Sequence, residues 1–110
     1  MEIKEHTSFV VLFDTYGKLL SNKQHAVMDK YLNLDLSESE LAELDSESRQ
    51  SIHDAITKAK KQLLEFEDKC KVVSRNSELK NELETLKKFI KNGKSADYLI
   101  QVVDDIKTRI

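Results

Sequence analysis

The chain contains no proline, and its only glycines are Gly17 and Gly93, so few of its 110 residues interrupt a helix. Charged residues make up 35% of the sequence, a share that also favours helices over strands and turns. A chain of this length is typical of a small protein with a modest hydrophobic core. The composition therefore predicts an all-α protein.

The cysteine content and the longest apolar run limit where the protein works. Cys70 is the only cysteine, so the chain can form no internal disulfide, and we expect a reducing compartment. The apolar run SFVVLF, residues 8–13, is too short to span a bilayer, and the MEIKEH segment before it lacks the basic start of a secretory signal. We therefore expect a cytoplasmic protein with no membrane partner.

Hydrophobic spacing predicts five or six helices. In the first helix, apolar residues recur at positions i, i+3, i+4 and i+7, which places them on one buried face. Gly17 is expected to mark its end. The residues of this face are Phe9, Leu12, Phe13 and Tyr16.

Serines mark the starts of the next three helices. Ser21 with Gln24 three residues later forms a capping box, and Ser37 with Glu40 repeats the pattern. Ser48 is expected to cap the fourth helix. The predicted inner faces are Val27, Met28, Tyr31 and Leu32 in the second helix and Ile52, Ile56, Ala59 and Leu63 in the fourth, and the short third helix is expected around Leu41, Ala42 and Leu44.

The third and fourth predicted helices, one short and one longer with a brief link, have the sequence form of a helix-turn-helix. In a helix that reads DNA, arginine and glutamine near the start contact base edges, while later lysines contact phosphates. The fourth helix carries such side chains opposite its apolar stripe. The candidate DNA-binding residues are Ser48, Arg49, Gln50, His53, Thr57, Lys58, Lys60 and Lys61.

The charge around this unit opposes DNA binding. Residues 36–54 hold six acids and one base, Arg49, which gives a net charge of −5. Asp45 and Glu47 flank the helix start that would face a phosphate, and there they repel it. The net charge becomes positive in residues 57–71, which contain five lysines and three acids.

This distribution of charge leaves two functions open. In the first, the protein is a DNA-binding regulator. In the second, the helix-turn-helix is an adaptor whose acidic residues meet a basic protein surface, such as an RNA-bound GTPase or a ribosome. The acids expected to bind that partner are Glu38, Glu43 and Asp45.

Two further helices are predicted beyond residue 71, separated near Gly93, with Ser95 as the cap of the second. We therefore predict a helix-turn-helix domain over residues 1–71 and a helical C-terminal extension over residues 72–110. Two apolar stripes run along the extension and need cover, either on the N-terminal helices or on a second copy of the chain. The stripes are Val72, Asn76, Leu79, Leu83, Leu86 and Ile90, then Leu99, Val102, Val103, Ile106 and Ile110.

We favour cover by a second copy, because a homodimer presents two helix-turn-helix units symmetrically. The residues expected to form the dimer are Leu79, Leu83, Leu86, Ile90, Leu99, Val102, Val103 and Ile106.

Catalytic chemistry has little support in the sequence. His6, His25 and His53 lie on three separate segments, without cysteines or carboxylates at metal-ligand spacing around them. The chain also lacks a glycine-rich phosphate loop. We therefore expect no enzymatic activity, no cofactor and no metal.

The order of these elements resembles the YlxM family of small bacterial helix-turn-helix proteins, which are similar to the promoter-recognising C-terminal region of primary sigma factors. The resemblance extends over residues 16–69, about half of the chain. The matching elements are LLSNKQ at residues 19–24, Tyr31, LSESELAE at residues 36–43 and SRQSIHDAI at residues 48–56.

The resemblance implies an all-helical fold with a sigma-like helix-turn-helix and a helical C-terminal extension. It also implies a role in the signal recognition particle pathway, with components of that particle as partners. That role is proposed for the family from its gene neighbourhood. One position departs from the pattern, because Glu47 stands where the family tends to have an apolar residue in the turn.

Overall fold

The computed structural model describes residues 3–110, with side chains from His6 onward. Met1 and Glu2, which begin both the predicted first domain and the MEIKEH segment, lie outside the described residues. The described residues form six α-helices, joined in one place by a short 3-10 helix (Gly17–Leu19), and no strand, which confirms the all-α prediction. The helices are α1 (Ile3–Tyr16), α2 (Asn22–Leu32), α3 (Glu38–Leu44), α4 (Arg49–Cys70), α5 (Val72–Lys91) and α6 (Ala96–Thr108).

The helix starts follow the predicted caps. In both capping boxes the serine hydroxyl accepts the backbone N–H three residues on, at 3.2 Å from Gln24 and 3.1 Å from Glu40. The Gln24 and Glu40 side chains in turn accept the N–H of Ser21 and Ser37. Since these groups would otherwise lack partners at a helix start, short polar motifs define where α2 and α3 begin.

The chain forms two compact units, Met1–Val73 and Ser74–Ile110. In the first unit α4 contacts α1, α2 and α3. Its stripe of apolar residues, fully or almost fully buried, is the one predicted from the sequence. The core consists of Phe9, Leu12, Phe13, Tyr16, Leu20, Val27, Met28, Leu32, Leu41, Ile52, Ile56, Ala59 and Leu63.

The three apolar residues of α3 differ in burial. Leu41 is completely buried, whereas Leu44 at the end of the same helix is 61% exposed. Because α3 has only two turns, it enters the core mainly through Leu41, and Ala42 is only half-buried. Tyr31 of α2, assigned to an inner face, is half-buried as well.

A small hydrogen-bond network closes the junction between α4 and α5. Lys71 ends α4 in the left-handed conformation, with φ of 58°. The Tyr16 hydroxyl donates to Glu67 Oε1 at 2.6 Å and accepts the N–H of Val72 at 3.1 Å. Glu67 Oε1 also accepts the N–H of Val73 at 3.0 Å, so two N–H groups in the first turn of α5 are satisfied by side chains. Burial, and the hydrogen bond to Glu67, raise the pKa of the Tyr16 phenol above its ordinary value near 10.

The second unit is a helical hairpin. Gly93, with φ of +75°, ends α5, and the Ser95 hydroxyl accepts the N–H of Tyr98 to begin α6, as predicted. Arg109 bonds Glu82 at 2.6 Å, and the rings of Phe89 and Tyr98 meet edge to face at 5.4 Å. The first contact joins the end of α6 to the middle of α5, and the second joins the start of α6 to the end of α5, so the two helices run antiparallel.

The side of α5 that faces α6 differs from the predicted stripe. Leu79, Leu86 and Phe89 are half-buried, whereas Leu83 and Ile90 of that stripe are exposed. The predicted stripe omitted Phe89, which lies three residues after Leu86 on the side of α5 that meets Tyr98. None of the described helices is both long and apolar enough to cross a membrane.

The contrast between Leu41 and Leu44 gives a direct test of this core. Leu41→Ala should lower the free energy of unfolding by about 2–5 kcal/mol, because it leaves a cavity between α3 and α4. Leu44→Ala should change it by less than about 0.5 kcal/mol, because the side chain is exposed. Urea denaturation followed by circular dichroism measures both. Equal losses in the two variants would contradict the packing described for α3.

The raised pKa of Tyr16 predicts that the protein loses stability at alkaline pH. Its contribution is fully present below about pH 10 and is lost as the pH rises through the folded-state pKa, because the unfolded phenol ionises first. Tyr16→Phe should therefore lose less stability than the wild type between about pH 9 and about pH 11. Tyr98→Phe, at an exposed tyrosine, serves as the control in urea denaturation across this range. The same decline in both variants would contradict the network.

Candidate functional site

The helix-turn-helix consists of α3, a tight turn over residues 45–48, and α4. Ser46 has φ of +53°, and the N–H of Glu47 bonds the carbonyl of Ala42 at 2.9 Å. The Ser48 hydroxyl accepts the N–H of Ser51 at 3.0 Å, as the cap prediction required. With Leu41 and Ile52 completely buried on either side, the turn holds the start of α4 in a fixed place.

The two acids of the turn are paired with lysines of α2. Lys30 Nζ lies 2.7 Å from Asp45 Oδ1, and Lys23 Nζ lies 2.6 Å from Glu47 Oε1. Both carboxylates are half-buried. Glu47, the position where the YlxM pattern has an apolar residue, therefore closes the turn through an ion pair with α2. These pairs also weaken the repulsion of phosphate expected from the two acids.

The predicted base-reading residues lie together, but two of the three are bonded to carboxylates. Arg49, Gln50 and His53 line a shallow cleft with Glu38, the first residue of α3. His53 Nδ1 lies 3.0 Å from both oxygens of Glu38, and Gln50 Nε2 donates to Asp54 Oδ1 at 2.8 Å. Of the three, only Arg49 extends without such a carboxylate contact. The cleft thus places an acid where a DNA base would approach.

The residues expected to contact the DNA backbone fall on different sides of α4. Arg49, His53, Thr57 and Lys61 follow one another at intervals of four and form a single exposed row. Lys58 lies about 100° further round the helix than Thr57.

Lys60 is not on this exposed face, so its predicted placement there is wrong. Its Nζ lies 5.1 Å from the ring centre of Phe9 and 5.3 Å from that of Tyr31. Lys60 lies three turns after Arg49, on the same side of α4. At the start of α4 this side is open, but at Lys60 it is covered by α1 and α2. The ammonium group of Lys60 therefore rests over aromatic faces, where cation–π attraction holds it.

Of the acids proposed to bind a protein, Glu38 and Asp45 already have internal partners, His53 and Lys30. Glu43 is exposed, and it lies in a shallow groove whose lining combines two acids with two leucines. We call this surface the α3 groove, and its residues are Leu36, Glu40, Glu43 and Leu44. Sequence reasoning missed the groove because hydrophobic spacing does not show which apolar residue of a two-turn helix stays exposed; the shortness of α3 was the signal available.

The three histidines have separate environments. His6 Nε2 lies 3.3 Å from the carbonyl of Leu32, and the ring of His25 lies 4.9 Å from that of Phe13. With His53 bonded to Glu38, each histidine contacts a different part of the unit. Within the described residues, no group of three or more His, Cys, Asp or Glu side chains is placed to hold a metal ion.

The pair of Lys30 and Asp45 predicts a salt-dependent contribution to stability. Asp45→Asn should lower the free energy of unfolding by roughly 1 kcal/mol at low salt, because it removes a partly buried ion pair that holds the turn on α2. The loss should shrink as salt rises. Glu43→Gln, at an exposed acid one residue from the end of the same helix, should leave the free energy unchanged. Denaturation in low and high salt measures both, and equal effects of the two variants would contradict the role of the pair.

Comparison with known proteins matches nearly the whole chain. The family model described as "Putative helix-turn-helix protein, YlxM / p13 like" matches residues 3–106. A UPF0122 protein of Clostridium acetobutylicum is 36% identical over 111 residues, covering 98% of this chain and 96% of that protein. A UPF0122 protein of Clostridium botulinum is 39% identical over 103 residues, covering 89% and 93%. One from a Thermoanaerobacter species is 32% identical over 103 residues, covering 91% and 88%. The chain therefore belongs to the UPF0122 family of YlxM/p13-like proteins.

Proposed function

We propose that this protein is a regulatory binding protein, without enzymatic activity, that acts in the signal recognition particle pathway. Its helix-turn-helix serves as an adaptor that docks on a basic protein surface through the α3 groove. The observation that carries the proposal is the contrast between two surfaces. Glu43 is exposed beside leucines, whereas Gln50 and His53 are bonded to carboxylates. The choice of pathway rests on family membership and on the role proposed for the YlxM family.

The charge of the first unit supports a basic partner. Residues 1–73 hold fourteen acids and ten bases, a net charge of −4. Most DNA-binding affinity comes from lysines and arginines that replace counterions along the phosphates. An acidic unit gains little DNA affinity from counterion replacement. It attracts a positively charged protein surface and repels a negatively charged one.

The composition of the α3 groove supports a partner that is apolar as well as basic. Leu44 is 61% exposed, and Leu36 is half-buried beside it. Glu40 and Glu43 border these leucines. A basic amphipathic helix would cover the leucines with its apolar face and place lysines or arginines against the two glutamates.

Sequence-specific DNA binding is a second candidate, and one observation favours it. The turn acids that would face a phosphate are paired with Lys23 and Lys30, which reduces their repulsion of DNA. In this alternative Arg49 reads a base edge, and Thr57 and Lys61 hold the backbone. Gln50 and His53 would first have to leave Asp54 and Glu38, which costs binding free energy.

Charge reversal in the α3 groove tests the adaptor function. The variant Glu43→Lys should bind purified signal recognition particle or ribosomes at least about tenfold more weakly, because like charges then face each other, and it leaves the Glu40 cap of α3 intact. Asp68→Lys, at an acid of α4 whose side chain is 83% exposed, should leave binding within about twofold as the matched control. Biolayer interferometry with each purified partner measures the dissociation constants.

The DNA alternative is tested with the same proteins on a random-sequence duplex pool across a salt titration. The adaptor function predicts weak binding at low salt, no enriched sequence and no effect of Arg49→Ala. An enriched motif that is lost in Arg49→Ala, together with unchanged partner binding by the groove variant, would contradict the adaptor function and establish a DNA regulator.

A further inference from the structure

The boundary between α4 and α5 lies in a segment whose sequence contains no helix breaker. From Arg49 to Lys91 the chain has neither proline nor glycine, and the helical structure is interrupted at one residue, Lys71. Lys71 has φ of 58° and ψ of 23°, a left-handed conformation that residues other than glycine adopt at an energetic cost. Local propensity therefore favours a continuous helix, so contacts from elsewhere must hold the break.

The start of α5 also differs from that of the other helices in how it is capped. The helices α2, α3, α4 and α6 each follow a serine whose hydroxyl accepts a backbone N–H of the first turn. Helix α5 follows Lys71, whose side chain has no acceptor. The N–H groups of Val72 and Val73 are satisfied instead by Tyr16 of α1 and Glu67 of α4. The start of α5 thus depends on a residue 56 positions earlier in the chain.

The N–H groups at positions 72 and 73 would have backbone partners in a continuous helix. Helical bonding runs from each N–H to the carbonyl four residues earlier, so these two groups would bond the carbonyls of Asp68 and Lys69. In the structure they bond the Tyr16 hydroxyl at 3.1 Å and Glu67 Oε1 at 3.0 Å. Each N–H therefore has a partner in either conformation, and the choice between the two depends on the Tyr16 and Glu67 side chains.

Packing contacts support the same break. Tyr16 is 4% exposed, and its ring lies 6.0 Å from that of Phe66. Val73 is half-buried and packs against the core of the first unit. The hydrogen bonds thus join a buried side chain of α1 to the first turn of α5, at the point where Val73 meets the core.

We propose that Tyr16 and Glu67 form a latch that interrupts one long helix at Lys71, and that release of this latch lets α4 and α5 join into a single helix over residues 49–91. The closed latch gains two side-chain caps and the contact of Val73 with the core. The continuous helix gains two backbone hydrogen bonds and a right-handed Lys71. Because both forms satisfy the same N–H groups, a small change at Tyr16 or Glu67 shifts the balance between them.

The latch can open while the stripe of α4 stays buried. That stripe ends at Leu63, about two turns before Lys71. The α3 groove and the start of α4 are further still from the break along the chain. The helix-turn-helix can therefore keep its form while its connection to the hairpin changes, which makes the latch a conformational device between the two units.

Nuclear magnetic resonance of the isotope-labelled full chain, without any partner, tests the latch at residue 71. In the wild type Lys71 should show the chemical shifts and the strong contact between its own HN and Hα that mark a left-handed residue. Tyr16→Phe removes the hydroxyl but keeps the ring, and it should raise the population of the continuous helix at least about tenfold. Helical contacts from Asp68 to residues 71 and 72 should then appear. Tyr98→Phe, at an exposed tyrosine, is the matched control and should leave these signals unchanged.

Two further substitutions separate a latch from an ordinary structural contact. Glycine is tolerated in the left-handed region and disfavoured within a helix, so Lys71→Gly should restore the break in the Tyr16→Phe protein. Glu67→Ala removes the acceptor and should favour the continuous helix as Tyr16→Phe does, which provides the same readout if Tyr16→Phe does not fold. Glu67→Gln keeps an oxygen at this position and should retain the break.

A left-handed residue 71 at its wild-type population in both Tyr16→Phe and Glu67→Ala would overturn the proposal. So would the loss of helical contacts over residues 70–75 in these variants, because that result shows a frayed junction rather than one long helix. Failure of Lys71→Gly to restore the break in Tyr16→Phe would overturn it as well. These measurements use the free protein, so they succeed or fail independently of the proposed function.

Discussion

The apolar stripe of α4 is the constraint on which the rest of the helix-turn-helix unit depends. Ile52, Ile56, Ala59 and Leu63 provide a buried surface along which α1, α2 and α3 are all in contact with α4. Since α3 has only two turns, it relies on this surface for its position through Leu41. The stripe thereby fixes both parts of the site: the exposed start of α4 and the groove on the outer side of α3.

Electrostatics then determines what this scaffold presents. Lys23 and Lys30 are paired with the acids of the turn, and Lys60 is held over two aromatic rings, so three bases of the unit already contact other side chains. Glu40 and Glu43 remain on the surface beside exposed leucines. A helix-turn-helix geometry is thus combined with an acidic and partly apolar surface, which is the physical basis of the proposed adaptor function.

The sequence predicts the features that depend on local patterns. Serine caps, helix starts and the α4 stripe all follow from residues within one or two turns of each other, and each was found as predicted. What it could not predict depends on contacts between distant segments. The covering of Lys60 by α1 and α2 and the packing of Phe89 on Tyr98 are examples. The pairing of Glu47 with Lys23 joins residues 24 positions apart, and no helical period relates them.

Hydrogen exchange along the chain tests the central claim most directly, because it locates a bound partner without altering any residue. Exchange would be followed for the protein alone, with purified signal recognition particle or ribosomes, and with a duplex pool at low salt. The adaptor function predicts added protection in residues 36–44, around the α3 groove, with a protein partner, and little change with DNA. Protection of residues 49–61 by DNA, with none in residues 36–44 from either particle, would contradict it.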